Sequence, residues 1–147
     1  MAEIRELCEN GGQLLTFTAA GETYGFLILD VTDIIEIPEI SRIPTAPPHV
    51  LGLMNHRGKA VPVMDFRLRL GLPEGEYDDH SCIIVIEINT FLCGIKVDRV
   101  RDAEMIQPGE AAVSPAENGV VCGFVTREGK DRISVIDPEI LVRRGAS

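Results

Sequence analysis

The run Ile83-Ile84-Val85-Ile86 stands 69 residues after Leu14-Leu15-Thr16-Phe17, and the residues beyond each run match as well. Gly25-Phe26, Ile28, Val31 and Asp33 correspond to Gly94-Ile95, Val97, Val100 and Asp102 at the same offset. Further on, Gly52-Leu53-Met54 and Gly58 correspond to Gly123-Phe124-Val125 and Gly129, displaced by 71 residues. Val61, Val63, Met64 and Asp65 correspond to Ile133, Val135, Ile136 and Asp137, displaced by 72. Apolar patterns align easily by chance; glycines and aspartates that keep their places align less easily. Such self-similarity marks a duplicated structural unit. It predicts a mainly β protein of two similar units, 13–72 and 81–142, each of about five short strands, after a flexible N-terminus over 1–12. Short strands curved at glycines close into small barrels, which removes their edges. A unit of about 70 residues has a marginal core. The two are therefore expected to share an apolar seam and to behave as one folding unit spanning 1–147.

Local signals fill in the units. Gln13 to Ala19 and Thr23 to Ile28 read as a hairpin around Ala20-Gly21-Glu22. Val31, Ile34 and Ile35, at spacings of three and four, predict one or two helical turns between Asp30 and Ile37, ended by Pro38. Ile43 to Pro48 holds three prolines and cannot be helix or inner strand. Leu51–His56 and Ala60–Met64 read as strands around Arg57-Gly58-Lys59. Asp65 caps a short helix, Phe66 to Leu70, stopped by Gly71 and Pro73, and the acidic stretch 74–79 is a loop.

Composition narrows the function. The 147 residues carry 14 Lys+Arg against 23 Asp+Glu, a net charge of −9. A chain so acidic is a poor partner for nucleic acid or anionic lipid. No apolar run approaches the ~20 residues that cross a bilayer. The N-terminus, with Glu3, Glu6 and Glu9, lacks the apolar block of a signal peptide. A cytoplasmic protein is expected, with Cys8, Cys82, Cys93 and Cys122 reduced and serving as small hydrophobes. The charge is unevenly spread: residues 1–48 and 73–147 each sum to −6, and residues 49–72 to +3. That basic strip is chance clustering, a recognition surface for an acidic partner, or a set of arginines answering internal carboxylates.

Little catalytic chemistry is on offer. His49, His56 and His80 lack zinc spacing, with His80, Cys82 and His56 the best that can be assembled. No serine sits in a nucleophile elbow and no glycine-rich loop opens a helix to cradle phosphate. The apolar neighbours of Cys82, Cys93 and Cys122 argue against a nucleophilic thiol. No catalytic residue, cofactor or metal is expected. The residue that stands out is Arg57, at the end of an apolar strand, where an unpaired charge is costly if buried. Asp33, Glu36 and Asp65 are its candidate partners. The second unit has Thr126-Arg127-Glu128-Gly129 at the corresponding place, so the Asn55-His56-Arg57-Gly58 pattern is not duplicated.

Arg42-Ile43-Pro44-Thr45-Ala46-Pro47-Pro48, Leu51-Gly52-Leu53-Met54-Asn55-His56-Arg57-Gly58 and Val61-Pro62-Val63-Met64-Asp65-Phe66-Arg67 come one after another in this order. Together they resemble the CheW family of bacterial chemotaxis adaptors, whose pattern is P-x-A-P, G-x-x-N-x-R-G and V-P-V-x-D-x-R. The resemblance runs from about Gln13 to Val142. It implies two five-stranded SH3-like barrels around a common core, with a few short helices, and an adaptor without catalysis. It implies as partners the cytoplasmic tip of chemoreceptors and the regulatory domain of the histidine kinase CheA, which has the same double-barrel fold. No nucleic acid partner and no direct membrane insertion are implied.

By the same resemblance, an acidic residue early in the helical segment pairs with the arginine of the Asn-x-Arg-Gly motif near the receptor groove. Those positions hold Asp33, where the family more often has Glu, and Arg57. His56 replaces a commonly aliphatic residue. The expected partner-binding set is Val31, Asp33, Ile34, Gly52, Asn55, Arg57 and Gly58, with Val31 and Ile34 in an apolar groove and the two glycines permitting close backbone approach. The chain leaves no room for the fused receiver domain of CheV-type adaptors. An adaptor of another receptor–kinase pathway, with a surface-motility or non-motility output, fits the same residues. A small enzyme or ligand-binding double barrel would need a pocket of convergent polar groups.

Overall fold

Leu14 to Phe17 and Ile83 to Ile86 are buried at every position, and a strand buried without alternation has both faces covered. The computed structural model describes residues 2–73, 75, 77–116 and 119–143, so part of the acidic stretch 74–79 lies outside the described residues. Helix α1 is Ala2–Asn10, followed by β1 (Gly12–Ala19), β2 (Glu22–Leu27), a 3-10 turn (Ile28–Asp30) and β3 (Val31–Glu36). Next come β4 (Val50–His56), β5 (Lys59–Asp65) and α2 (Phe66–Leu70). The remainder is β6 (Cys82–Ile88), β7 (Phe91–Val97), β8 (Arg99–Ile106), β9 (Ala111–Val113), β10 (Val121–Val125), β11 (Ile133–Ile136) and α3 (Pro138–Val142).

The duplication is real in three dimensions, but the two sheets do not coincide with the two halves of the chain. One sheet has six strands in the order β8-β1-β2-β11-β10-β9; the other has five, β3-β6-β7-β5-β4. Each is built on a hairpin from one half and completed by strands of the other half. The equivalent glycines show the exchange: Gly25 of β2 lies in parallel register with Val135 of β11, and Gly94 of β7 with Val63 of β5. A Cβ on Gly94 would stand 2.9 Å from Ile83 and 3.0 Å from Met54, and one on Gly25 3.1 Å from Ile133, so side chains of neighbouring strands close tightly over both glycines. The division into 13–72 and 81–142 therefore describes the repeat in the sequence and not two separate bodies. The six-stranded sheet also exceeds the expected five.

Three apolar clusters result from this layout. Leu14 points into one, with Ile4, Leu7, Ile106, Val125 and Val135. Ile83 and Val85 point into another, with Met54, Val61 and Val63. Leu15, Phe17, Ile84 and Ile86 turn the opposite way, into a central cluster that joins Phe26, Ile95 and Ile136 from both sheets with Phe66 of α2 and Leu141 of α3. Phe17 stacks on Phe26 at 5.2 Å and meets Phe66 edge-on at 5.0 Å, geometries that aromatic pairs favour. Each fully buried side chain of this size contributes roughly 1.5–3 kcal/mol relative to exposure. The shared seam is thus the centre of the protein.

Two local expectations are corrected. The N-terminus, expected to be flexible over 1–12, forms α1 from Ala2 to Asn10: the helix buries Ile4 and Leu7 against the six-stranded sheet, and the missing Cβ of Gly123 leaves the space that Ile4 fills. Residues 30–37 are not helical turns. Only a 3-10 turn precedes β3, which pairs with β6 from Val31 to Glu36. Its β-branched residues suit an edge strand, and a ladder partner outweighs the weak helical spacing. By contrast, Asp65 does cap α2, accepting the Leu68 N–H at 3.1 Å, and Gly71 ends it at φ 69°. Asp137, its repeat counterpart, caps α3 by accepting from Glu139 and Ile140.

Candidate protein-docking site

β3 and β4 are the opposite edges of the five-stranded sheet, yet their side chains meet. The turn joining β4 to β5 is Arg57-Gly58, with His56 paired to Lys59 across it. Arg57 has φ 55° and Gly58 φ 82°, the mirror-image turn that suits the twist of a hairpin. A left-handed conformation is uncommon for arginine. Asn55 holds it in place: its Oδ1 accepts the Gly58 N–H at 3.1 Å. Arg57 Nη2 then donates to Asp33 Oδ2 at 2.9 Å. His56 Nε2 lies 3.5 Å from the same oxygen, and Asp33 Oδ1 accepts the N–H of Ile34 at 3.0 Å. One carboxylate thus fastens one edge of the sheet to the hairpin at the other.

Of the three candidate partners for Arg57, the structure pairs it with Asp33. Asp65 is committed to α2 and to the hydroxyl of Tyr77, which donates at 2.8 Å and is itself held protonated by burial and that bond. The pair is not buried as a unit: the Arg57 side chain is 76% exposed, Asp33 26% and His56 11%. Arg57 therefore presents most of its guanidinium to solvent in a fixed direction.

The other expected site residues divide. Burial alternates along β3, with Val31, Asp33 and Ile35 half-buried and Thr32, Ile34 and Glu36 exposed. Val31 packs against the central cluster, whereas Ile34 is 43% exposed. On a strand these two residues do not share one side of the sheet as residues of a helical turn would. Gly52 is explained within the chain. Its φ is +147°, and a Cβ there would stand 2.0 Å from the carbonyl oxygen of Ser41. That carbonyl accepts the Leu53 N–H, and Ser41 N–H donates to the Leu53 carbonyl, each at 2.8 Å. The segment before the prolines is thereby pinned along β4. A Cβ on Gly58 would meet nothing within 4 Å, so the positive φ is what requires glycine there.

The six-stranded sheet repeats the fastening with other residues. Arg127, just beyond β10, pairs with Glu104 of the edge strand β8 at 2.7 Å, with side chains 11% and 26% exposed. The repeat located Arg127, but nothing in its spacing pointed to Glu104. Arg127 Nε is buried without a hydrogen-bond partner. One unit carries its arginine outward and the other inward.

The basic strip 49–72 is largely consumed in the same way. Arg67 Nε donates to Asp98 Oδ1 at 2.9 Å, and its Nη2 to Asp98 Oδ2. Arg69 donates to the carbonyls of Leu141 and Ile140 at 2.7 and 2.8 Å, which lie in α3. Arg67 and Arg69 answer groups of the second half and so tie the two halves together, whereas Arg57 pairs within the first half and also faces outward. Among the thiols, burial pushes Cys93 up to about 12 and Cys122 up to about 11, so neither forms a thiolate readily. Among the described residues no group of His, Cys, Asp or Glu is placed to hold a metal ion, and no helix is long and apolar enough to cross a membrane.

The clasped sheet thus presents one oriented arginine, Arg57, to solvent, while Arg67, Arg69 and Arg127 are turned to internal ties. Residues 13–146 match the CheW-like domain model, and the chain belongs to that family. It is 36% identical over 112 residues, 72% of this chain and 68% of the relative, to the chemotaxis protein CheW of Klebsiella aerogenes. It is 26% identical to the CheW of Bacillus subtilis over 95% of this chain and 92% of that one. The crystal structure of the scaffolding protein TtCheW from Thermoanaerobacter tengcongensis superposes with a TM-score of 0.85 at 27% identity, covering 93% of this chain and 96% of that one.

Proposed function

We propose that this protein is a non-catalytic, cytoplasmic adaptor that links the cytoplasmic tips of chemoreceptors to the regulatory domain of a CheA-type histidine kinase. It is recruited to receptor arrays by these contacts and not by inserting into the membrane. The docking face for the receptor comprises Asp33, Ile34, Asn55, Arg57 and Gly58, with Val31 behind it and Gly52 setting the backbone of β4. The observation that carries this reading is the exposed Arg57 guanidinium, oriented by Asp33 and by the Asn55 turn. Pre-oriented polar groups bind at lower entropic cost than mobile ones, and the exposed Ile34 nearby supplies apolar area.

The test is a titration of the full-length protein with a receptor cytoplasmic fragment and, separately, with the kinase regulatory domain. Binding of both is expected, with Arg57→Glu weakening the receptor arm. Absence of binding to either at tens of micromolar would refute the adaptor reading.

A further inference from the structure

We infer that His56 is a positioning residue of the docking face: through Asp33 it sets how firmly Arg57 is held, and its protonation loosens that hold. The inference rests on the docking reading above and concerns the regulation of that same face. Asp33 Oδ1 is occupied by the Ile34 N–H at 3.0 Å, which leaves Oδ2 for both His56 Nε2 at 3.5 Å and Arg57 Nη2 at 2.9 Å. An imidazole is the ordinary side chain that gains charge between about pH 8 and 5. Neutral, it offers Oδ2 a long, weak contact, and Arg57 has the oxygen almost to itself. Protonated, it becomes a second cation on the same acceptor and repels the first. Of the two, the side chain that yields is Arg57, which is 76% exposed, whereas His56 is 11% exposed and anchored at the end of β4.

The charged groups that the bonding and the register place at His56 are Asp33 from β3, Arg57 in the turn and Lys59, its register partner on β5. β4 carries no other ionisable side chain, and the part of β6 paired with Asp33 and Ile34 is Val85 and Ile84.

The experiment tracks the His56 ring and the Arg57 Nε–Hε signal by NMR from pH 8 to 5.5 in the full-length protein. In parallel, affinity for a receptor cytoplasmic fragment is measured for the native chain and for His56→Leu. The expected result is one shared midpoint for both signals, lost at Arg57 in His56→Leu. Receptor affinity should fall about threefold toward pH 5.5 only in the native chain, the size expected for loss of an exposed pair. An Arg57 signal that stays flat while His56 titrates, or identical affinity profiles for the two proteins, overturns the inference. If the fragment binds at no pH but the two signals move together, the positioning role stands and the docking reading fails.

Discussion

Asp33, on one edge strand of the five-stranded sheet, and Arg57, in the hairpin at its other edge, are joined by a 2.9 Å charged hydrogen bond. The bond does two things at once. It draws the sheet's edges together, and it aims a guanidinium outward. Because Arg57 is largely exposed, the pair adds little to stability, about 0.2–1 kcal/mol for exposed ion pairs. Arg57→Glu should therefore leave the urea midpoint almost unchanged while weakening receptor binding about tenfold or more. Both are read on the same preparation, by urea titration and by calorimetry. Unchanged binding would remove Arg57 from the site.

The counterpart pair behaves differently because it is less exposed. Arg127→Ala strips Glu104 of its 2.7 Å partner in a site where the arginine is 11% exposed. Breaking a buried pair by removing one member costs about 3–5 kcal/mol, and the partial exposure of Glu104 puts the expectation near about 3 kcal/mol. Urea unfolding of Arg127→Ala beside Arg57→Ala checks this. Equal losses would show that the inward and outward placement is without energetic meaning.

Gly52→Ala tests the seating of the proline connector. The new methyl would overlap the Ser41 carbonyl at 2.0 Å and sit on a backbone with φ +147°. Overpacking and a forbidden φ each cost roughly 1–3 kcal/mol, so a loss of about 3 kcal/mol is expected. Amide exchange at Leu53, whose N–H donates to Ser41, should speed up more than at Val85 in the sheet centre.

The exchange of strands between halves predicts that neither half folds alone. A fragment 1–72 lacks the parallel partners of β2 and β5, and a fragment 73–147 lacks those of β7 and β11. Separately expressed, each should give the dispersion-poor NMR spectrum of an unfolded chain, and equimolar mixing should restore native peaks. A well-dispersed spectrum from one fragment alone would contradict this.

Asp30 gives a pH dependence. Burial, then the nearby Glu3, Asp137 and Glu139, raise its carboxyl above the usual range. A carboxyl raised by folding binds its proton more tightly in the native state, so it favours the fold at low pH and opposes it once ionised. Asp30→Asn should therefore raise the melting temperature at pH 7, and the gain should shrink as pH falls through the native carboxyl's range. Differential scanning fluorimetry from pH 4 to 7 reads both ends. A gain that grows toward acid would reverse the assignment.

Much of the fold is legible in residue order alone. The matching aspartates Asp65 and Asp137 are both helix caps, and a cap is a local bond that needs only three residues of context. The β4–β5 hairpin is visible because its turn chemistry is local too. The readings that fail are those decided at a distance. Residues 31–36 carry a weak helical spacing, and only the ladder with β6 makes them a strand. Ile4 and Leu7 find a groove that no neighbouring residue announces.

The sequence by itself determined that the chain is a duplicated β protein and that the Asn55-His56-Arg57-Gly58 pattern has no copy around Arg127. Repeats, turns and charge are written in residue order, so they survive without a fold. Only the tertiary structure decided that each sheet takes strands from both halves, that Asp33 is the acid which holds Arg57, and that one arginine faces solvent while its counterpart is enclosed. These depend on which strands lie side by side. Side-by-side placement is set by burial of the central seam across the whole chain, a property that no local stretch encodes.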